Sequence, residues 1–130
     1  MTKDLTLNQY QVGCMRTARY PQELSVHGAT LGQLYTCLAL AGEAGETANS
    51  LKKILRGDFD QKPEMLEAQC NKIIDELGDC LYYVAAAAFE FGVTLESVAK
   101  LNQAKLSTRT GIDVQASSLS GSVELPVVST

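Results

Sequence analysis

The 130-residue sequence has no tryptophan, one histidine (His27), three prolines, and four cysteines without a CxxC pair. Each scarcity excludes something. Cys14, Cys37, Cys70 and Cys80 are widely spaced in helix-like segments, so reduced, buried thiols are expected and not a disulfide framework. A lone histidine excludes a di-iron carboxylate bundle, which needs Glu-x-x-His on two helices. The longest apolar run, around Val84 to Ala88, is too short to cross a bilayer, and Met1 to Tyr10 lacks a basic-then-apolar signal pattern. The cytoplasm is therefore the expected compartment. Lysines and arginines form no cluster and the net charge is -4, so no basic surface is offered to displace the counterions of a duplex. Neither a nucleic-acid polymer nor a membrane is an expected partner.

What is present suits a globular chain: 45% hydrophobic and 20% charged residues, enough for one domain around one core. A first helix is expected from about Thr6 to Tyr20, with Leu7, Tyr10, Gln11, Cys14 and Met15 at helical spacing and Pro21 after it. Glu23 to Gly32 reads as irregular. A stripe through Leu34, Leu38, Ala41, Ala48, Leu51 and Leu55 predicts a second helix over Gln33 to Arg56, stopped by Gly57 and Asp58. Pro63 fits the first turn of a third helix, which continues through Leu66, Cys70, Ile73, Leu77, Leu81, Val84 and Ala88 until Gly92. Its stretch VAAAAFEFG is apolar nearly all round and predicts a central position. Thr94 is the expected N-cap of a fourth helix, Leu95 to Thr108, closed by Gly111. Strands are hard to place before residue 110. The fold class is all-α, an antiparallel bundle of four main helices over residues 1–110. Residues 111–130, small, β-prone and poor in charge, form the expected extended or disordered C-terminal tail.

Two acidic pairs interrupt the apolar stripes: Glu43 with Glu46, and Glu76 with Asp79. Residues three apart share a helix face. The short connection makes the second and third helices an antiparallel hairpin, in which residues whose numbers share a sum lie level. By that rule Glu46 lies level with Glu76 and Glu43 with Asp79, and the midpoint, residue 61, falls in the predicted turn. Four carboxylates at one level repel one another unless a cation lies among them. An all-oxygen ligand set favours Mg²⁺, with Mn²⁺ able to substitute, over Zn²⁺, and Mg²⁺ recruits substrate phosphates. Gly42, Gly45 and Gly78 flank the acids and predict a close approach, because each costs a helix about 1 kcal/mol relative to Ala. Lys53 returns to nearly the face of Glu46 two turns on, with Lys52 beside it, and could meet a phosphate. A single ExxE is also what a solvated helix face looks like; two pairs in register, flanked by glycine, favour a site.

Assembled in this way, GEAGETANSLKK followed by DELGDCLYYVAAA resembles the MazG-like, all-α nucleoside triphosphate pyrophosphohydrolases, whose pattern is ExxE, a variable gap, then ExxD. LNQAKLSTR resembles the N-x-x-K-L-x-x-R stretch on their following helix, so the resemblance covers about residues 33 to 109. It implies that Glu43, Glu46, Glu76 and Asp79 bind Mg²⁺, with two or more ions per site. It implies that Lys52, Lys53, Tyr83, Asn102, Lys105 and Arg109 hold phosphates or sugar. Glu46, Glu76 and Lys53 are the implied catalytic residues, Glu46 as the carboxylate that takes a proton from the attacking water. The implied reaction is hydrolysis of an NTP or dNTP to the monophosphate and pyrophosphate. Short, single-domain members include phage-type enzymes that adjust the nucleotide pool, and by that analogy the substrate is a purine nucleotide, dGTP or GTP first. Tyr82 and Tyr83 stand where relatives often have an aromatic pair led by Trp. The candidates for the base, Gln11, Arg16, Tyr20 and His27, lie outside the matched motifs.

One hairpin and two further helices cannot cover both apolar faces of the third helix. A homodimer or homotetramer with sites near subunit interfaces is therefore expected, in the host cytoplasm if the chain is phage-encoded. The competing reading is a non-catalytic helical interaction or adaptor protein with an acidic face, which predicts neither metal dependence nor turnover.

Overall fold

Helix α1 (Leu7–Met15) begins in a capping box: the Thr6 hydroxyl accepts from Gln9 N, and the Gln9 side chain accepts from Thr6 N. The computed structural model describes residues 4–114. The first helix stops earlier than its apolar spacing predicts. Thr17 is the reason: its hydroxyl donates to Cys14 O at 2.8 Å while its own N–H bonds the same carbonyl, closing the last turn tightly.

The stretch expected to be irregular contains a small antiparallel ladder, β1 (Ser25–Val26) and β2 (Ala29–Thr30), with Ser25 opposite Thr30 and Val26 opposite Ala29. His27 (φ 50) and Gly28 (φ 87) make the left-handed pair that a two-residue hairpin turn requires. The irregular reading of Glu23 to Gly32 is thus corrected by two short strands.

Helix α2 (Leu31–Leu55) starts directly from that hairpin through a second capping box, Thr30 with Gln33, two residues ahead of the predicted start. Residues 56–62 reverse the chain, with Gly57 (φ 80) and Gln61 (φ 60) left-handed. Helix α3 (Pro63–Glu90) begins with Pro63 in its first turn and ends at Gly92 (φ 72). Helix α4 (Leu95–Thr110) follows. The first two N–H groups of α4 are capped from α1: Leu95 N donates to Gln11 Oε1 and Glu96 N to Asn8 Oδ1. The chain divides into two compact units, Met1–Glu96 and Ser97–Thr130. From residue 115 on, the predicted tail lies outside the described residues.

The four helices bear out an all-α fold, yet the core is not where the leucine stripes put it. Among the described residues the buried cluster is Cys14, Ala85 and Leu95, with Tyr10, Tyr82 and Val84 packed against it. Ala85 and Ala86 are fully buried, so the alanine stretch of α3 is central as its composition predicts. Among the described residues the largest fully buried side chains are Thr36 and Ser50 of α2, and Gln69 Nε2 of α3 donates to Ser50 O at 2.9 Å. Leu34, Leu38, Leu51 and Leu55 of α2, and Leu66, Leu77 and Leu81 of α3, are exposed instead. In a hairpin each helix covers only one side of the other, and the residues buried on α2 are Gly32, Thr36 and Ser50.

The cysteines are all free. Only Cys14 is buried; Cys37 and Cys70 are exposed and Cys80 is half-buried, which corrects the expectation of buried thiols. No described helix is long and apolar enough to cross a membrane.

Candidate metal centre

The antiparallel register of α2 and α3 sets their acids opposite one another. Glu43, Glu76 and Asp79 each offer one carboxylate oxygen, and these three atoms lie within 4.8 Å of one another. Glu46, the fourth predicted member, is outside this group and exposed. Three residues advance about 300° around a helix, so with Glu43 turned to α3 its neighbour Glu46 is rotated about 60° toward solvent. Glu46 remains near enough to act on Glu43 electrostatically.

The charge of the cluster is visible in its protonation. Burial raises the Glu43 carboxyl above the usual range, and the charges of Asp79, Glu46 and Glu76 raise it further. Glu76 is the buried member, and Lys72 Nζ stands 3.7 Å from its Oε1, one turn earlier on α3. Among the described residues Lys72 is the cation paired with the cluster, which keeps an excess of negative charge. Three hard oxygens converging with unbalanced charge fit a divalent cation such as Mg²⁺ or Mn²⁺.

A cleft of about 370 Å³ opens beside the acids, with Glu43 and Asp79 in its wall. The rest of that wall is largely aromatic. Tyr20 and Tyr35 stack with centroids 5.3 Å apart and planes at 13°; Tyr83 tilts against Tyr35 at 6.4 Å and meets Tyr82 edge-on at 5.1 Å. Burial, with Tyr35 beside it, raises the Tyr83 phenol. Arg19 lines the same cleft.

Other predicted residues are spread out. Lys52 and Lys53 lie in the last turn of α2, Lys52 exposed and Lys53 half-buried. Asn102, Lys105 and Arg109 are exposed on one face of α4, in the second unit. Of the base candidates, only Tyr20 lines the cleft. Arg16 caps the C-terminus of α1 and faces a separate groove with Asn8 and Val12; His27 sits in the hairpin turn. Gln11 has a structural role. It is 6% exposed, donates to Ala85 O and Val93 O, and accepts from Leu95 N, so its amide is occupied by the backbone.

Of the three partners expected to approach the flanking glycines, metal, phosphate or the facing helix, the facing helix is corrected. A Cβ at Gly42, Gly45 or Gly78 would meet nothing within 4 Å, so no close approach within the chain explains them. Sequence reasoning also missed Arg19, Tyr35 and Lys72. Lys72 carried a readable signal, its four-residue spacing from Glu76; Arg19 and Tyr35 carried none, since only folding brings residues 19–20 against α2.

The MazG nucleotide pyrophosphohydrolase domain matches residues 32–111, which takes in α2, the turn, α3 and α4. The chain is 37% identical over 100 residues to the Gene 37 protein of Mycobacterium phage L5, covering 77% of this chain and 84% of that one. It is 38% identical over 72 residues to the uncharacterized protein YvdC of Bacillus subtilis (strain 168), covering 54% of this chain and 68% of that one. No solved structure matches. With the matched segment spanning most of the chain and carrying both acidic pairs, this protein belongs to the MazG nucleotide pyrophosphohydrolase domain family.

Proposed function

We propose that the protein hydrolyses a nucleoside or deoxynucleoside triphosphate to the monophosphate and pyrophosphate, using Mg²⁺ held by its acidic cluster. The observation that carries this reading is the convergence of Glu43, Glu76 and Asp79 within 4.8 Å, at the edge of an aromatic cleft. Carboxylates suit a cation that recruits phosphates, and tyrosine rings suit a nucleoside. The family is generally divalent-metal dependent. Bound Mg²⁺ would neutralise charge on the departing pyrophosphate and acidify a water.

The remaining steps fall to the chain. Glu43, Glu76 and Asp79 would hold the cation, with Lys72 paired to the buried Glu76, and Glu46 beside them would accept the proton of the attacking water. Lys53, with Lys52, offers positive charge from the last turn of α2. For Asn102, Lys105 and Arg109 the assignment to phosphates or sugar stands on the motif match alone. The preferred substrate is a purine nucleotide, dGTP or GTP first, drawn from the cytoplasmic pool; the size of the tyrosine-walled cleft supports a base but does not select one.

The exposed stripe of α2 and α3 supports a homodimer or homotetramer, because Leu38 at 74% and Leu55 at 80% exposure leave water against side chains worth about 2 kcal/mol each on burial. Association would also give Gly42, Gly45 and Gly78, open within one chain, a neighbour to admit.

The deciding experiment incubates the folded protein with each of the common NTPs and dNTPs and Mg²⁺, and resolves monophosphate and pyrophosphate by ion-exchange chromatography. Cleavage of at least one, abolished by EDTA and restored by Mg²⁺, is the expected result. No consumption of any nucleotide would overturn the reading in favour of a non-catalytic acidic interaction protein.

A further inference from the structure

Glu90, the last residue of α3, belongs to none of the motifs that mark the acidic cluster. Its carboxylate is nonetheless a junction: Tyr20 Oη donates to its Oε1 at 2.9 Å and Gln22 Nε2 donates to the same oxygen at 3.1 Å. Its main-chain carbonyl accepts from Gln33 Nε2 at 3.1 Å, the residue that closes the capping box of α2. The carboxylate lies against Gly32 in the first turn of α2, where a Cβ would overlap it. The backbone at Gly32 is ordinary helix, so glycine is needed there for room and not for conformation.

What this junction holds is one wall of the cleft. Tyr20 stacks on Tyr35, and both face the space shared with Glu43 and Asp79. The residues around Tyr20 have no helix or strand to fix them. Burial first, and the Glu90 carboxylate second, raise the Tyr20 phenol well above its ordinary value, which keeps it a proton donor to Glu90.

We propose that Glu90 is a positioning residue for the nucleotide site: admitted by Gly32 and bonded to Tyr20, it fixes the Tyr20–Tyr35 pair as the stacking surface for the nucleoside base. The inference rests on the function proposed above and deepens it.

The test compares KM and kcat of Gly32→Ala, Glu90→Ala, Glu90→Gln, Tyr20→Phe, Tyr20→Ala and the Glu90→Ala/Tyr20→Ala double variant on the best-cleaved triphosphate. Gly32→Ala displaces only the flexible end of Glu90, so helical content and unfolding midpoint hold while the contact is lost. Gly32→Ala, Glu90→Ala and Tyr20→Phe are each expected to raise KM about tenfold, the scale of one lost charge-assisted hydrogen bond, and to change kcat far less. Glu90→Gln keeps an acceptor for Tyr20 and should recover most of the affinity. With Tyr20 already replaced by Ala, removing Glu90 should add no further rise, which a merely structural role would not reproduce. An unchanged KM in Glu90→Ala, or an equal rise in the Tyr20→Ala background, overturns the positioning role and leaves the proposed activity standing. A wild-type protein that cleaves no triphosphate overturns both.

Discussion

Glu43, Glu76 and Asp79 are individually ordinary helix carboxylates, and what sets them apart is that one oxygen of each lies within 4.8 Å of the others. Glu76→Gln and Asp79→Asn should each lower metal-dependent turnover about 100-fold or more, and weaken Mg²⁺ binding measured by titration calorimetry. Glu46→Gln should lower kcat on the same scale while weakening metal binding less, because Glu46 stands outside the oxygen cluster. Equal losses of metal affinity in all three would show that Glu46 is drawn in as a full ligand.

At the scale of elements, α1 is a short helix that docks through Gln11 and Cys14 and in doing so caps the start of α4. Replacing Gln11 by Ala removes a donor from two carbonyls and the acceptor of the Leu95 N–H, and should cost about 2–4 kcal/mol in urea denaturation, without altering the acidic cluster. The Tyr10 phenol, also in this joint, is pushed up to about 12, by burial first and then by Cys14. A raised phenol value means that the unfolded chain ionises first. The stabilisation is complete below about pH 10 and is lost as pH rises through about 12, so unfolding midpoints should fall over that window in wild type and fall less in Tyr10→Phe. The Thr30 and Gln33 capping box is a Thr-x-x-Gln pattern that a reading from the apolar stripe passes over in starting the helix at Gln33; the hairpin before it carried no such pattern, because His27 had to adopt a left-handed conformation that few residues announce.

For the whole molecule, the exposed leucines make association the main expectation. Sedimentation velocity should find a dimer or tetramer, and a Leu38→Lys/Leu55→Lys variant should sediment as a monomer with its helical circular dichroism intact. A monomeric wild type at micromolar concentration would leave the stripe without a partner of its own kind. Mg²⁺ at a hundredfold excess over its dissociation constant should stabilise the fold by about 2–3 kcal/mol, several degrees in Tm, and EDTA should reverse it.

Most of the helical pattern and the acidic register could be read along the chain, because helix period and a short reversal are local properties: Pro63 suits a first helical turn through its fixed φ, and ExxE keeps its spacing on any helix. The sequence by itself also carried the family, through motifs that are contiguous along the chain. Only the tertiary structure decided which of the four acids converge, that Gln11 serves the backbone, and that Tyr20, Tyr35 and Glu90 share one wall. Those outcomes depend on the rotation of one helix against another and on where an irregular segment lands. Both are set by packing between residues far apart in the chain, which no local pattern encodes.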